Sequence, residues 1–60
     1  MSTPIIQKEV KDLMAKYKAK SYREQIDLAI EHLDYQLKEQ PLVVLFHEMK
    51  KELQKMKSVI

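Results

Sequence analysis

Two histidines, His32 and His47, are the side chains best suited by type to metal binding or proton transfer near neutral pH. A metal site on a helix needs further ligands three or four positions away, where they share a face. Those positions supply no carboxylate and no second imidazole: they hold Leu28, Ala29, Tyr35 and Gln36 around the first histidine, and Val43, Val44, Lys50 and Lys51 around the second. The stretch HEMKK begins like a zinc-protease helix but lacks the second histidine of that motif. We therefore predict no metal site within a single chain.

Groups suited to covalent catalysis are equally sparse. Cysteine and glycine are both absent, so the chain offers neither a thiol nucleophile nor a glycine-rich phosphate loop. None of the three serines, Ser2, Ser21 and Ser58, lies in a glycine-flanked nucleophile turn. Glu31 and Asp34 form a carboxylate pair, but on a helix face that we expect to be solvated. We predict a protein that is not an enzyme and that binds no cofactor.

The length of 60 residues allows one domain. A chain this short buries only about 60% of its unfolded surface, and without cysteine no disulfide can compensate. Residues 1–60 are therefore expected to form a single small domain that is completed by oligomerisation, with a dimer favoured, or by a partner. A hydrophobic content of 45% argues against disorder. The absence of glycine and asparagine, which best supply the turns of β-hairpins, predicts an all-α fold.

Three amphipathic helices are predicted, at about residues 4–18, 21–39 and 41–58. Thr3 and Pro4 suit an N-cap and a first helical position, and Ser21 followed by Glu24 forms a capping box. Pro41 is placed at the start of the third helix, with a turn favoured over a kink in one continuous helix. Apolar residues spaced by three and four give each helix a core face. These are Ile5, Ile6, Val10, Leu13, Met14 and Tyr17; then Tyr22, Ile26, Ala29, Ile30, Leu33 and Leu37; then Leu42, Phe46, Met49, Leu53, Met56 and Ile60.

The run LVVLF, residues 42–46, raises a separate question, because five consecutive apolar residues cover most of a helix circumference. A strand is disfavoured, since the chain offers no second strand to pair with it. On a helix, Val43, Val44 and Leu45 project away from the core face. They form either the core of a homo-oligomer, which we favour, or a docking surface for another protein.

The second predicted helix carries two further candidate surfaces. Four carboxylates spaced by three, four and three form an acidic stripe: Glu24, Asp27, Glu31 and Asp34. A solvated face, alone or paired with basic residues of a neighbouring helix, is the plainer interpretation, and contact with a basic partner is the functional one. Leu28, His32 and Tyr35 form a smaller patch with the spacing of helix neighbours. It contacts another helix or subunit, or it provides the amphipathic aromatic side chain favoured at binding hot spots.

Eight of the 11 basic residues fall into two clusters, around residues 16–23 and 50–57. They are Lys16, Lys18, Lys20 and Arg23, interleaved with two tyrosines, and Lys50, Lys51, Lys55 and Lys57. Lysines beside aromatics suit phosphate contact and base stacking. Lysines at helix ends are also expected from the helix macrodipole, and the net charge is only +2. Nucleic-acid binding is therefore the weaker of the functional interpretations.

The resulting prediction is a small non-catalytic interaction module, a regulator, inhibitor or adaptor that binds a larger cytoplasmic protein. The apolar run, the small patch and the acidic stripe are its expected contacts. The alternative is a small dimeric nucleic-acid-binding protein that uses the two lysine clusters. No secretion signal is expected from MSTPIIQKEVKDLM, and no apolar run is long enough for a membrane span. The lysine- and isoleucine-rich composition suggests a bacterial or phage origin.

Overall fold

The computed structural model describes residues 3–59, which form three helices. Helix α1 spans Pro4–Ala15, α2 spans Tyr22–Glu39 and α3 spans Val44–Val59. No strand occurs within residues 3–59, and none of these residues takes a positive φ angle. The predicted all-α fold of three helices is therefore confirmed.

Helix α1 begins as its sequence predicts and ends early. The Thr3 hydroxyl accepts a hydrogen bond from the Ile6 amide at 3.2 Å, and Pro4 occupies the first turn, where its missing N–H goes unused. The helix ends at Ala15, three residues before the predicted end. Beyond it the amides of Tyr17 and Lys20 donate to carbonyls three residues earlier, which is the tighter bonding of turns.

Helix α2 begins at the predicted cap. The Ser21 hydroxyl accepts from the Glu24 amide at 3.3 Å and donates to the Glu24 carboxylate at 3.1 Å. In the usual capping box the glutamate reaches the backbone N–H of the cap residue, whereas here it contacts the hydroxyl. The Gln25 side chain donates to the Lys20 carbonyl at 3.2 Å and ties the preceding turn to the helix.

Replacing the cap serine offers a direct test of this start. Ser21→Ala is expected to lower the free energy of unfolding by about 1 kcal/mol, because an amide of the first turn loses its acceptor. Urea denaturation followed by circular dichroism measures the change. Ser58→Ala is the matched control: its hydroxyl donates only to the Lys55 carbonyl within α3, so we expect a change below about 0.5 kcal/mol. Equal losses in the two variants would contradict the assigned cap.

A turn, not a kink, separates α2 from α3. Gln40 leaves the helical conformation at φ −136° and ψ 73°, and its amide still bonds the Gln36 carbonyl at 2.7 Å. The Nε2–H of His47 donates to the Pro41 carbonyl at 2.7 Å and holds the turn against the start of α3. Helix α3 therefore begins at Val44, three residues later than predicted. Leu42 lies in the turn instead of on the core face and is 91% exposed.

The core is made of apolar residues from all three helices. Its buried members are Val10, Leu13, Met14, Ile26, Ala29, Leu33, Met49 and Leu53. Every one of them was predicted to lie on a core face. Ile5 and Tyr22 were predicted there too but are exposed, because each lies in the first turn of its helix, beyond the packed centre. The predicted core position of Ile60 lies outside the described residues.

Helices α2 and α3 run antiparallel and are joined by ion pairs. Asp27 contacts Lys57 at 2.6 Å, and Asp34 contacts Lys50. Pairs whose residue numbers rise on one helix and fall on the other require antiparallel helices. Helix α1 packs against both α2 and α3 and closes the core.

Candidate protein-interaction surfaces

The structure places His32 on the same pocket as carboxylates that its own helix does not supply. A pocket of about 200 Å³ where the three helices meet is lined by His32 together with Glu9 and Asp12 of α1 and Lys16, the residue that follows the helix. These three charged residues are spaced by three and four, which could have identified their shared face, but not what it packs against. No group of three or more histidines or carboxylates is arranged to hold a metal ion within residues 3–59.

His47 lies apart from this pocket. Its bond to the Pro41 carbonyl requires the proton on Nε2, so this ring nitrogen acts as a donor within the turn. The side chain thereby contributes to the connection between α2 and α3.

The four carboxylates of the predicted acidic stripe divide between two surroundings. Asp27 and Asp34 are paired with lysines of α3, as the plainer interpretation of the stripe anticipated. Glu24 contacts the cap serine, and Glu31 is exposed. Only the two glutamates therefore remain on the side of α2 that points away from α3.

Those glutamates share a face with the small apolar patch. Glu24, Leu28, Glu31 and Tyr35 are spaced by four, three and four, and they lie opposite the buried Ile26 and Leu33. We call these four residues the outer face of α2. Tyr35 is 63% exposed and Leu28 is half-buried. His32, the third residue of the predicted patch, lies beside this face on the flank towards α1.

The five-residue apolar run does not form one surface. Leu45 was predicted to project away from the core face, but it packs against the core together with Phe46 because α3 begins only at Val44. Val43 is half-buried. Leu42 and Val44 are exposed, the valine by 69%. Within one chain the run is thus partly core and partly uncovered surface. Whether a second subunit covers the rest stays a prediction.

The two lysine clusters also differ in their surroundings. Lys16, Lys18, Lys20 and Arg23 are exposed around the connection between α1 and α2. In the second cluster, Lys50 and Lys57 face the aspartates of α2, while Lys51 lies 3.9 Å from Glu48 and Lys55 is exposed. The basic charge of α3 is therefore partly neutralised and divided between two faces.

A groove between α1 and α3 was not identified from the sequence. It has a volume of about 510 Å³ and continues into a smaller hollow at the end of α1 that shares Lys11, Met14 and Met56 with it. We call both parts together the α1–α3 groove. Its further lining residues are Pro4, Gln7, Lys8, Val10, Ala15, Lys18, Tyr22, Gln25 and Glu52. Its floor comes from two helices distant in sequence, so no local pattern predicts it.

The fold and these surfaces define a class: a small three-helix protein with an apolar core and several partly apolar outer faces. Within residues 3–59, no helix is both long and apolar enough to cross a membrane. Comparisons with protein-family models, with curated proteins and with solved structures found no match to this chain.

Proposed function

We propose that this protein is a non-catalytic interaction module that regulates, inhibits or links a larger cytoplasmic protein. The observation that carries the proposal is the exposure of Tyr35, Leu42 and Val44. All three lie within ten residues of sequence, from the last turns of α2 through the turn to the start of α3. Contact with a second protein would remove these large apolar side chains from water.

The chemistry of this region suits protein contact. Burial of apolar area gives about 25 cal/mol per Å² of favourable free energy, and tyrosine combines a large ring with a hydroxyl that can stay hydrogen-bonded. Glu24 and Glu31, on the same face as Tyr35, add negative charge that would favour a basic partner and disfavour an acidic one. The proposed contact is therefore the outer face of α2 together with the exposed turn, residues 40–43, and the adjoining Val44.

Site-specific photocrosslinking in cells that express the protein naturally tests the proposal. A benzophenone amino acid replaces Tyr35 or Leu42, and in a control chain it replaces the exposed Lys55 of α3. We expect the same discrete protein adduct from positions 35 and 42 and none from position 55. Equal adducts from all three positions, or none from the first two, would contradict the proposed surface.

The mass and composition of the adduct distinguish a different protein from a second copy of this chain and from nucleic acid. An adduct of twice the 7.2 kDa chain mass would identify a second copy, the homodimer predicted from the sequence. An adduct that nuclease removes would favour the nucleic-acid alternative. In that case, binding to a generic duplex should weaken steeply as salt is raised.

A further inference from the structure

The lysines and the carboxylates of α1 lie on different flanks of the helix. Lys8 and Lys11 line the α1–α3 groove, as does Lys18 just beyond the helix. Glu9 and Asp12 line the pocket on the other side of the helix. These charges nearly cancel along the sequence, whereas in three dimensions the groove has a basic rim.

The floor of the groove is apolar and adaptable. Val10 and Met14 are buried members of the core, and Met56 is half-buried against it. Methionine side chains are unbranched and flexible, so they adjust to the shape of an apolar partner. Glu52 also lines the groove, and among the described lining residues it is the one carboxylate beside three lysines.

The dimensions suit a helix of a few turns. The 12 residues of α1 extend over about 18 Å, and the groove follows this helix from Pro4 to the turn beyond it. A helix bound in a groove places apolar residues at i, i+3 or i+4, and i+7 on the floor and its polar residues at the rim. Lysines at positions 8, 11 and 18 would then lie beside acidic residues with similar helical spacing.

We propose that the α1–α3 groove is a docking site for an acidic amphipathic helix of a partner protein. The argument is charge complementarity above an apolar floor. Methionine and valine along the groove suit leucine or phenylalanine, whereas among its described lining residues stacked bases would find one aromatic side chain, Tyr22, at the end of the groove. This site shares no residue with the outer face of α2 or with the exposed turn. It is therefore independent of the contact proposed above, and each can fail without the other.

A peptide titration tests the proposal directly. The probe is a synthetic amphipathic peptide of about 16 residues, long enough to follow the groove, with leucine on one face and glutamate on the other. The control peptide carries lysine in place of every glutamate. Methyl signals of isotope-labelled methionine report binding. Met14 and Met56 line the groove, whereas Met49 of α3 lines the separate pocket on the other side of α1. We expect saturable shifts of the first two signals with the acidic peptide only.

Paired charge reversals supply the second arm of the test. Lys11→Glu combined with Lys18→Glu is expected to weaken binding of the acidic peptide at least about tenfold, because attraction at the rim becomes repulsion. Lys38→Glu combined with Lys51→Glu changes the net charge equally but at exposed positions that do not line the groove, and we expect less than about a twofold change. Thermal unfolding of both variants verifies that they fold.

Several outcomes would overturn the proposal. These are the absence of saturable shifts at millimolar peptide, equal binding of the acidic and basic peptides, and equal losses in the two double variants. The last of these would reduce the effect to net charge alone. A single-stranded oligonucleotide that shifts the same methionine signals at lower concentration than the acidic peptide would assign the groove to nucleic acid instead.

Discussion

Leu53→Ala is expected to lower the free energy of unfolding by about 2–5 kcal/mol. The Leu53 side chain has no exposed surface, and α3 places it in the core shared by all three helices. Its truncation removes buried apolar atoms and leaves a cavity that the surrounding helices refill only in part. A domain of 60 residues has a total stability of about 3–9 kcal/mol, so the variant is expected to lie near its folding threshold.

Leu42→Ala is the matched control for this change. The same atoms are removed, but Leu42 is 91% exposed in the turn before α3. We expect its free energy of unfolding to stay within about 0.5 kcal/mol of the parent protein. Urea denaturation at several protein concentrations measures both variants. A large, concentration-dependent loss for Leu42→Ala would show that a second copy covers the turn, and a small loss for Leu53→Ala would contradict the core.

Ala29→Leu is expected to lower the free energy of unfolding by about 1–3 kcal/mol, because it overpacks the core instead of leaving a cavity. Ala29 is completely buried on α2, within the core formed by all three helices. Leucine adds three carbon atoms and would force its neighbours from their preferred rotamers. Alanine and leucine are both good helix formers, so a change in helix propensity does not account for a loss of this size.

Ala15→Leu, at the exposed end of α1, controls for the exchange itself. We expect a change below about 0.5 kcal/mol there, measured by the same denaturation experiment. If both positions accept leucine equally well, the helices are not closely packed around Ala29.

The sequence predicted those parts of the fold that depend on neighbouring residues. The hydroxyls of Thr3 and Ser21 cap the helices that they were predicted to cap, because a cap is a contact over three residues. The spacing of Val10, Leu33 and Leu53 likewise identified the buried faces. Here a local pattern and the packed structure agree.

The features that the sequence misplaced or left open depended on contacts beyond a single helical turn. Pro41 suits the first position of a helix, yet the turn is held by the bond from His47, and α3 starts later. Pairing of the α2 stripe with a neighbouring helix was anticipated, but nothing in the spacing of the stripe shows that Asp27 and Asp34 are the members that face the lysines of α3. The α1–α3 groove required the packing of two helices that are separated by a third.

None of residues 3–59 has a positive φ angle, so none of them needs glycine. The absence of glycine in turn affects the denatured chain. Average composition would place about four glycines in a protein of this length, whereas this one has none. Alanine in place of glycine, at a position whose backbone conformation suits both, restricts the denatured ensemble and stabilises the fold by about 0.4–1 kcal/mol. Together this amounts to about 2–4 kcal/mol, similar to the contribution of one disulfide. A chain without cysteine thus obtains a comparable constraint from a stiffer backbone, spread along its whole length.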